Sequence, residues 1–190
     1  MISELRRLLE PLCGEDAIVS VYCDNWDRGS FLLGYVIDLD EDDVLLNLLS
    51  PGGVEDGFAV VAADSIVGAS EDRPYSARIL KLSLLKGQKK RTIPSVEGCP
   101  LFDLLAYAQA ERTPITIDRE GDFTGFVESY SDTAVNLMQV DTDGKEFGRD
   151  VVDLASVDFI RCQSSELRDI ELLRRAEQAG LGTIFIERGN

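Results

Sequence analysis

In the first half of the chain, hydrophobic residues occur in short runs that are typical of β-strands. The segment Ile18–Cys23 is rich in β-branched residues, and residues 34–39 and 44–49 form two apolar runs separated by the acidic residues 40–43. Apolar runs of this length joined by a short polar turn predict a β-hairpin. A Pro-Gly-Gly turn at 51–53 follows the second run.

The second half of the chain shows the same kind of pattern. A β-branched stretch at 115–117 precedes apolar runs at 125–130 and 135–140, which are again separated by a few polar residues. After them, Asp143 and Gly144 supply residues that tolerate the positive φ angles of a tight hairpin turn. The second half is therefore predicted to contain a matching hairpin.

Three segments have the spacing of amphipathic helices. Residues 4–12 and Pro100–Glu111 place leucines three and four positions apart, and each segment precedes a set of predicted strands. A third helix is predicted to begin at Ser164 and to end before Gly180. A final short strand at 183–187 is predicted to cover an edge of its own sheet or to extend the sheet of a neighbour.

The two halves share glycines at a constant spacing. Two pairs are separated by 91 positions, Gly34 with Gly125 and Gly53 with Gly144. Asn47 and Asn136 are 89 positions apart, which we interpret as a two-residue difference in a loop. The pattern predicts an internal duplication, each copy a helix followed by about five strands. Strands this short have to curl to bury both ends of their sheet, so each copy is predicted to form a small barrel.

The same three features recur around both hairpins: a glycine on the first strand, an aspartate after the turn, and an apolar-Asn-apolar step. They are Gly125, Asp132 and Asn136 in the second copy, and Gly34, Asp43 and Asn47 in the first. The second copy also has the sequence Val-Asp-Phe-Ile at 157–160, in which the apolar pair Phe159 and Ile160 is followed by Arg161. In these features the chain resembles the Sm and Sm-like (LSm) proteins, whose bacterial members include Hfq. Cys162 stands where that family has glycine, and the first copy has no arginine at 66–70.

The resemblance implies a mainly β fold with short helices. Two Sm-like five-stranded barrels, each preceded by a helix, are expected together with a C-terminal helix and strand. The corresponding boundaries are 1–80 for the first barrel with its helix, 81–99 for a basic linker, 100–163 for the second barrel and 164–190 for the C-terminal helix and strand.

The resemblance also implies candidate RNA-binding residues. In Sm-like proteins the Asn of the first motif and the Arg of the second grip an unstacked base, which is single-strand recognition. Asn136 and Arg161 are the pair implied here, and Asn47 is the matching residue of the first copy. Two alternatives remain open: Asn136 as a turn residue that satisfies loop backbone groups, and Arg161 as an ion-pair partner of Asp132 or Asp158.

Charge restricts the partners. The chain has 35 Asp and Glu against 19 Lys and Arg, no His and a net charge of −16, which argues against binding to duplex DNA or anionic membranes. Residues 81–91 instead carry a net charge of +5 from a basic run made up of Lys81, Lys86, Lys89, Lys90 and Arg91. This run is interpreted as a solvated connector attracted to the acidic barrels or, alternatively, as an anion or RNA contact.

Catalytic and metal chemistry is not predicted. The chain has no His, no Gly-x-Ser-x-Gly and no Walker-type loop, and its four cysteines are far apart without a Cys-x-x-Cys pair. The acidic turn at 38–43 resembles the start of an EF-hand loop, but Asp43 and Leu49 occupy the positions of the required Gly and Glu. We expect no enzyme activity, no cofactor and no metal, and a soluble cytoplasmic protein, because no apolar run is long enough to span a membrane.

The function expected from the sequence is therefore binding and assembly without catalysis. Sm-like subunits close rings by pairing edge strands, so a chain with two barrels is expected to self-associate, with three chains forming a ring of six barrels, or to bind other proteins. The alternative is single-stranded RNA binding through Asn136, Arg161 and the basic linker. An enzyme that uses carboxylates between the barrels is the third possibility.

Overall fold

The computed structural model describes residues 3–23, 30–71, 74–118 and 123–180. In these residues ten antiparallel strands form one continuous sheet with the order β5-β1-β2-β3-β4-β10-β6-β7-β8-β9, accompanied by four α-helices. The prediction of a mainly β fold with short helices is confirmed. The sheet is open and shared by both halves of the chain, so the expectation of two separately closed sheets does not describe this arrangement.

The first half, called here the first repeat, contains two helices and five strands. Its elements are α1 (Ser3–Leu9), β1 (Ile18–Cys23), β2 (Leu32–Leu39), β3 (Asp43–Leu49), β4 (Glu55–Ala62), β5 (Ile66–Ser70) and α2 (Pro74–Leu85). Short 3-10 turns at Glu10–Leu12 and Ala63–Ser65 follow α1 and β4.

The second repeat has the same order of elements. They are α3 (Pro100–Glu111), β6 (Pro114–Asp118), β7 (Phe123–Tyr130), β8 (Ala134–Val140), β9 (Glu146–Asp153), β10 (Phe159–Cys162) and α4 (Ser165–Gln178). A 3-10 turn at Leu154–Ser156 matches the one after β4. The predicted strand at 183–187 lies outside the described residues.

The duplication extends to the register of the strands. Gly34 lies opposite Leu48 on β3, and Gly125 lies opposite Gln139 on β8, so each partner is also displaced by 91 positions. Both glycines face a crowded backbone, because an added Cβ on Gly34 would lie 2.3 Å from the carbonyl oxygen of Asn47. Close approach of two strands therefore explains the glycine at this position of each repeat.

The spacing of 91 also holds through the hairpin turn, where the sequence suggested 89. Tyr35 pairs with Asn47, and the residue in the place of Tyr35, Phe126, pairs with Met138. Asn47 therefore corresponds to Met138, and Asn136 corresponds to Leu45. The predicted equivalence of the two asparagines is wrong, since the two hairpin turns have the same length.

Helix α2 was not predicted, and its first residues lie in the segment assigned to the first barrel while its end lies in the predicted linker. Two serines, Ser76 and Ser83, are buried beside Ile79 on the packed face of α2, so the apolar periodicity is interrupted. Helix α2 packs on the turn at Gly53, where an added Cβ would lie 3.0 Å from the carbonyl oxygen of Ile79. Helix α4 packs in the same way on Gly144.

The largest hydrophobic core belongs to both repeats. Side chains from the first repeat pack with helix α3 and with the strands of the second; the fully or nearly fully buried members include Leu45, Phe58, Val60, Leu104, Leu105, Ile117 and Ile160. A second cluster fills the first repeat and takes Phe159 from the second. The two repeats are thus held together by apolar contacts as well as by strand pairing.

Candidate functional site

The pairing of β4 with β10 joins the two repeats, and we call it the junction. Its register places Phe58 opposite Cys162 and Val60 opposite Ile160, and all four side chains are buried. A further backbone hydrogen bond runs from the amide of Ala62 to the carbonyl oxygen of Asp158. The last strand of one repeat thus continues the sheet of the other.

A buried carboxylate lies at one end of the junction. Glu55 is only 9% exposed, and it accepts hydrogen bonds from Arg91 at 3.2 Å and from Arg168 of α4 at 2.5 Å. The guanidinium of Arg91 also donates to Tyr107 and Gln163 of the second repeat. Because burial without partners would strongly disfavour the charged carboxylate, these arginines are integral to the junction.

A second ion pair crosses the junction beside the first. Asp56 accepts a hydrogen bond from Arg161 at 2.6 Å and another from the backbone amide of Ser165 at 2.8 Å. Ser165 begins α4, and Ser164 caps the same helix by accepting from the amide of Leu167. A carboxylate from the first repeat therefore stabilises the start of a helix in the second, where its charge also suits the helix dipole.

The structure brings three of the predicted RNA-binding residues to this junction. Asn47 is fully buried, donates to Glu55 and to the carbonyl oxygen of Gly57, and accepts from the amide of Arg91. Arg91 and Arg161 are engaged as described above. Asn47, Arg91 and Arg161 therefore bind protein groups in this chain.

Asn136 lies apart from this cluster. Its side chain donates to the hydroxyl of Ser129 at 2.9 Å, on the neighbouring strand of the same hairpin. Arg161 is an ion-pair partner, as the alternative interpretation held, and the carboxylate it binds is that of Asp56 from the other repeat. Asn136 and Arg161, the predicted RNA-binding pair, therefore bind different protein groups.

The basic segment is partly tied to the first repeat. Lys90 contacts the carbonyl oxygens of Gly14 and Glu15 and the carboxylate of Asp16, the last at 3.2 Å, while Lys89 is exposed. These contacts agree with the interpretation of a connector attracted to the acidic part of the chain. The signal that identified it was charge contrast, which needs no knowledge of the fold.

An acidic cavity of about 530 Å³ lies at the turns between the strands. Seven aspartates line it: Asp40, Asp42, Asp43, Asp64, Asp132, Asp153 and Asp158. Burial, with the nearby charges of Asp40 and Asp42, raises the pKa of Asp43 to about 7. Such a concentration of carboxylates repels phosphate groups, so this cavity is unsuited to RNA.

In the lining of this cavity, the side-chain ligand atoms of Asp40, Asp43 and Cys99 lie within 4.8 Å of one another. Two carboxylates and a thiol are donors that a divalent cation can use. This grouping could not be predicted from the sequence, because Cys99 is more than 50 positions from the aspartates. Acidic groups commonly meet in this way without a bound ion, and we assign no metal to them.

The two outer strands of the sheet present a different surface. Strand β5 pairs only with β1 and strand β9 only with β8 among the described residues. On β9, Val151 is 72% exposed, whereas Val60, at the same position of β4, is 2% exposed. Phe147 on β9 and Val67 on β5 are also exposed. These edges are therefore candidate binding surfaces.

Comparison of the sequence with protein-family models and with curated proteins gives no match. Among the described residues, no helix combines the length and hydropathy needed to cross a bilayer.

Proposed function

We propose that this chain is a non-catalytic assembly protein, built from two Sm-like repeats, that joins further copies of itself through β5 and β9. The observation that carries the proposal is the junction itself. Inside one chain, the fourth strand of one repeat pairs with the fifth strand of the other. Within the part of the chain that the structure describes, the sheet then ends in the remaining fifth strand, β5, and the remaining fourth strand, β9.

The two edge strands are therefore a fourth strand and a fifth strand, which are the two kinds of strand that pair with each other at the junction. A contact between the β9 edge of one copy and the β5 edge of another would repeat the junction. Such a contact is head to tail, because it uses different surfaces on the two copies, and it leads to a ring or an open filament. Three chains in a closed ring would contain six repeats.

Exposed side chains support this proposal. Val60 is buried because it packs in the core that β4 forms with α3 and the strands of the second repeat, whereas Val151, at the matching position, is exposed on β9, an edge strand among the described residues. Burying an exposed valine and the unpaired backbone groups of an edge strand is favourable in water. A second copy docked at β9 would supply both, because its β5 would pair with the backbone and its apolar side chains would cover the valine.

Binding of single-stranded RNA is the less supported alternative. Its candidate residues Asn47, Arg91 and Arg161 donate to carboxylates or to other protein groups, and the net charge of −16 opposes a polyanion. Titration of a fluorescent oligo(U) at low salt tests this alternative. Affinity that Asn136→Ala abolishes would favour RNA binding over assembly.

The molar mass in solution tests the proposal. Light scattering coupled to gel filtration is expected to give a multiple of the 20.9 kDa chain mass. Val151→Lys places a charge in the middle of β9 and is expected to shift the protein to the monomer. Leu85→Lys is the matched control, because Leu85 is equally exposed but is the last residue of α2 and not part of an edge strand. A wild-type chain that stays monomeric at high concentration would contradict the proposal.

A further inference from the structure

The 91-residue repeat assigns a register to the contact between two copies. At the junction, Val61, Val60 and Phe58 lie opposite Phe159, Ile160 and Cys162. Moving the β4 residues forward by 91 positions, and the β10 residues back by 91, gives the pairs Val152 with Gly68, Val151 with Ala69, and Arg149 with Glu71. The first two pairs are apolar or small, and the third joins opposite charges.

We infer that Arg149 of one copy forms an ion pair with Glu71 of the next copy and that this pair sets the direction and register of assembly. The inference rests on the proposed function. The side chain of Arg149 is 70% exposed, and its contact within the chain is with Glu128, which is itself partly exposed. An exposed arginine at this position can therefore exchange or share its partner without breaking the core.

The chemistry of this outer contact differs from that of the junction. The positions of Asp56 and Arg161 are taken by Phe147 and Ser70, and those of Glu55 and Arg168 by Glu146 and Ala77. The buried ion pairs of the junction thus have no counterparts between copies. Arg149 and Glu71 are the charged pair that remains, and they replace the buried apolar pair of Phe58 and Cys162.

The replacement of an apolar pair by a charged pair gives the contact between copies a direction. If two β9 edges paired with Arg149 opposite Arg149, two arginines would face each other, and two β5 edges paired with Glu71, the residue after β5, opposite Glu71 would bring two glutamates together. Like charges directly opposite on paired strands are destabilising, whereas opposite charges are favourable. The pair therefore favours the head-to-tail contact over both head-to-head and tail-to-tail contacts.

Charge reversal tests the inference on the full chain. By sedimentation equilibrium, Glu71→Arg and Arg149→Glu are each expected to raise the dissociation constant about fivefold to tenfold, because each replaces an attraction with a repulsion. The double variant carrying both changes restores opposite charges at every contact and is expected to return to within about twofold of the wild-type value. Circular dichroism of each variant shows whether the fold is retained.

Glu128→Gln is the matched control, since it removes the partner of Arg149 within the chain and leaves the contact between copies intact. Its dissociation constant is expected to be no higher than that of the wild type, because removing the competing carboxylate leaves Arg149 free for Glu71 of the next copy. Single variants that assemble like the wild type, or a folded double variant that assembles no better than the single ones, would overturn the ion pair while leaving assembly in place. A monomeric wild type would overturn the proposed function, and the ion pair with it.

Discussion

Strands β4 and β9 occupy the same place in their repeats and have the same register with their hairpin partners, yet their surroundings differ. Nearly every residue of β4 is buried, whereas most residues of β9 are exposed or half-buried. Strand β4 has β10 on its outer side, and β9 is an edge of the sheet that residues 3–23, 30–71, 74–118 and 123–180 form. The burial of a strand therefore depends on what lies beside it and over it and on its own residues, since β4 has β10 at its side and α3 across it and carries Phe58 where β9 carries Arg149.

The largest expected effect is at Gly57, which has a φ of +82° and lies against the end of β10. In Gly57→Ala the new Cβ would lie 2.1 Å from the carbonyl oxygen of Cys162, so the junction has to separate. We expect a loss of about 4 kcal/mol in the free energy of unfolding, from overlap and backbone strain together. Urea denaturation followed by circular dichroism measures it.

Gly148 is the matched position on β9 and has no backbone atom of another strand within reach. Gly148→Ala is expected to change the free energy of unfolding by less than about 1 kcal/mol. Equal losses of stability in the two variants would show that the close approach of β10 to Gly57 does not determine the cost of the substitution.

A smaller loss is expected at the buried carboxylate of the junction. Glu55→Ala leaves Arg91 and Arg168 without their shared acceptor and removes a partner of Asn47, and we expect it to cost about 3 kcal/mol. Glu146, in the same place on β9, pairs with Arg174 at the surface. Glu146→Ala should cost less than about 1 kcal/mol. Thermal unfolding of both variants in one buffer checks this ranking, and comparable losses would contradict it.

The smallest effect concerns pH and compares Asp43 with Ala134, which stands at its place in the second repeat. The pKa of Asp43 is raised to about 7 in the folded chain, above its ordinary value of 3.8. The folded state then binds more protons than the unfolded state between these two values. Ionisation of Asp43 therefore lowers stability as the pH rises through this range.

Asp43→Asn removes this ionisation; because Asp43 is only half-buried and screened by solvent, we expect about 1 kcal/mol of added stability at pH 8, well below the roughly 4 kcal/mol of the full shift, and little change at pH 4. Urea midpoints measured across this pH range test the difference. A variant whose stability changes with pH as steeply as that of the wild type would show that other groups are responsible.

Local patterns predicted much of the secondary structure. The predicted helix Pro100–Glu111 is confirmed. Its signals are local, namely a proline at its start and apolar residues three and four positions apart, so it could be predicted without reference to other segments. The hairpins are confirmed because alternation and turn residues act over a few positions. Helix α2 was missed because Ser76 and Ser83 occupy its buried face.

The candidate site was predicted only in part. Asn47 and Arg161 were implied by the resemblance to Sm-like proteins and Arg91 by its place in the basic run, and all three lie at the junction. Their partners could not be predicted, because Asp56 and Arg161 are 105 positions apart and meet only after two repeats have folded and paired. The equivalence of Asn47 with Asn136 failed because residue identity was used where strand register decides.

The sequence by itself determined the duplication, the strands and turns of each repeat and the acidic character of the chain, since these follow from local spacing and composition. Only the tertiary structure decided that the repeats share one open sheet, that Glu55 and Asp56 hold them together, and that β5 and β9 remain at the edges. Which strands become neighbours depends on contacts between residues far apart in the chain. Those contacts depend on the packing of the whole sheet, which no short segment encodes.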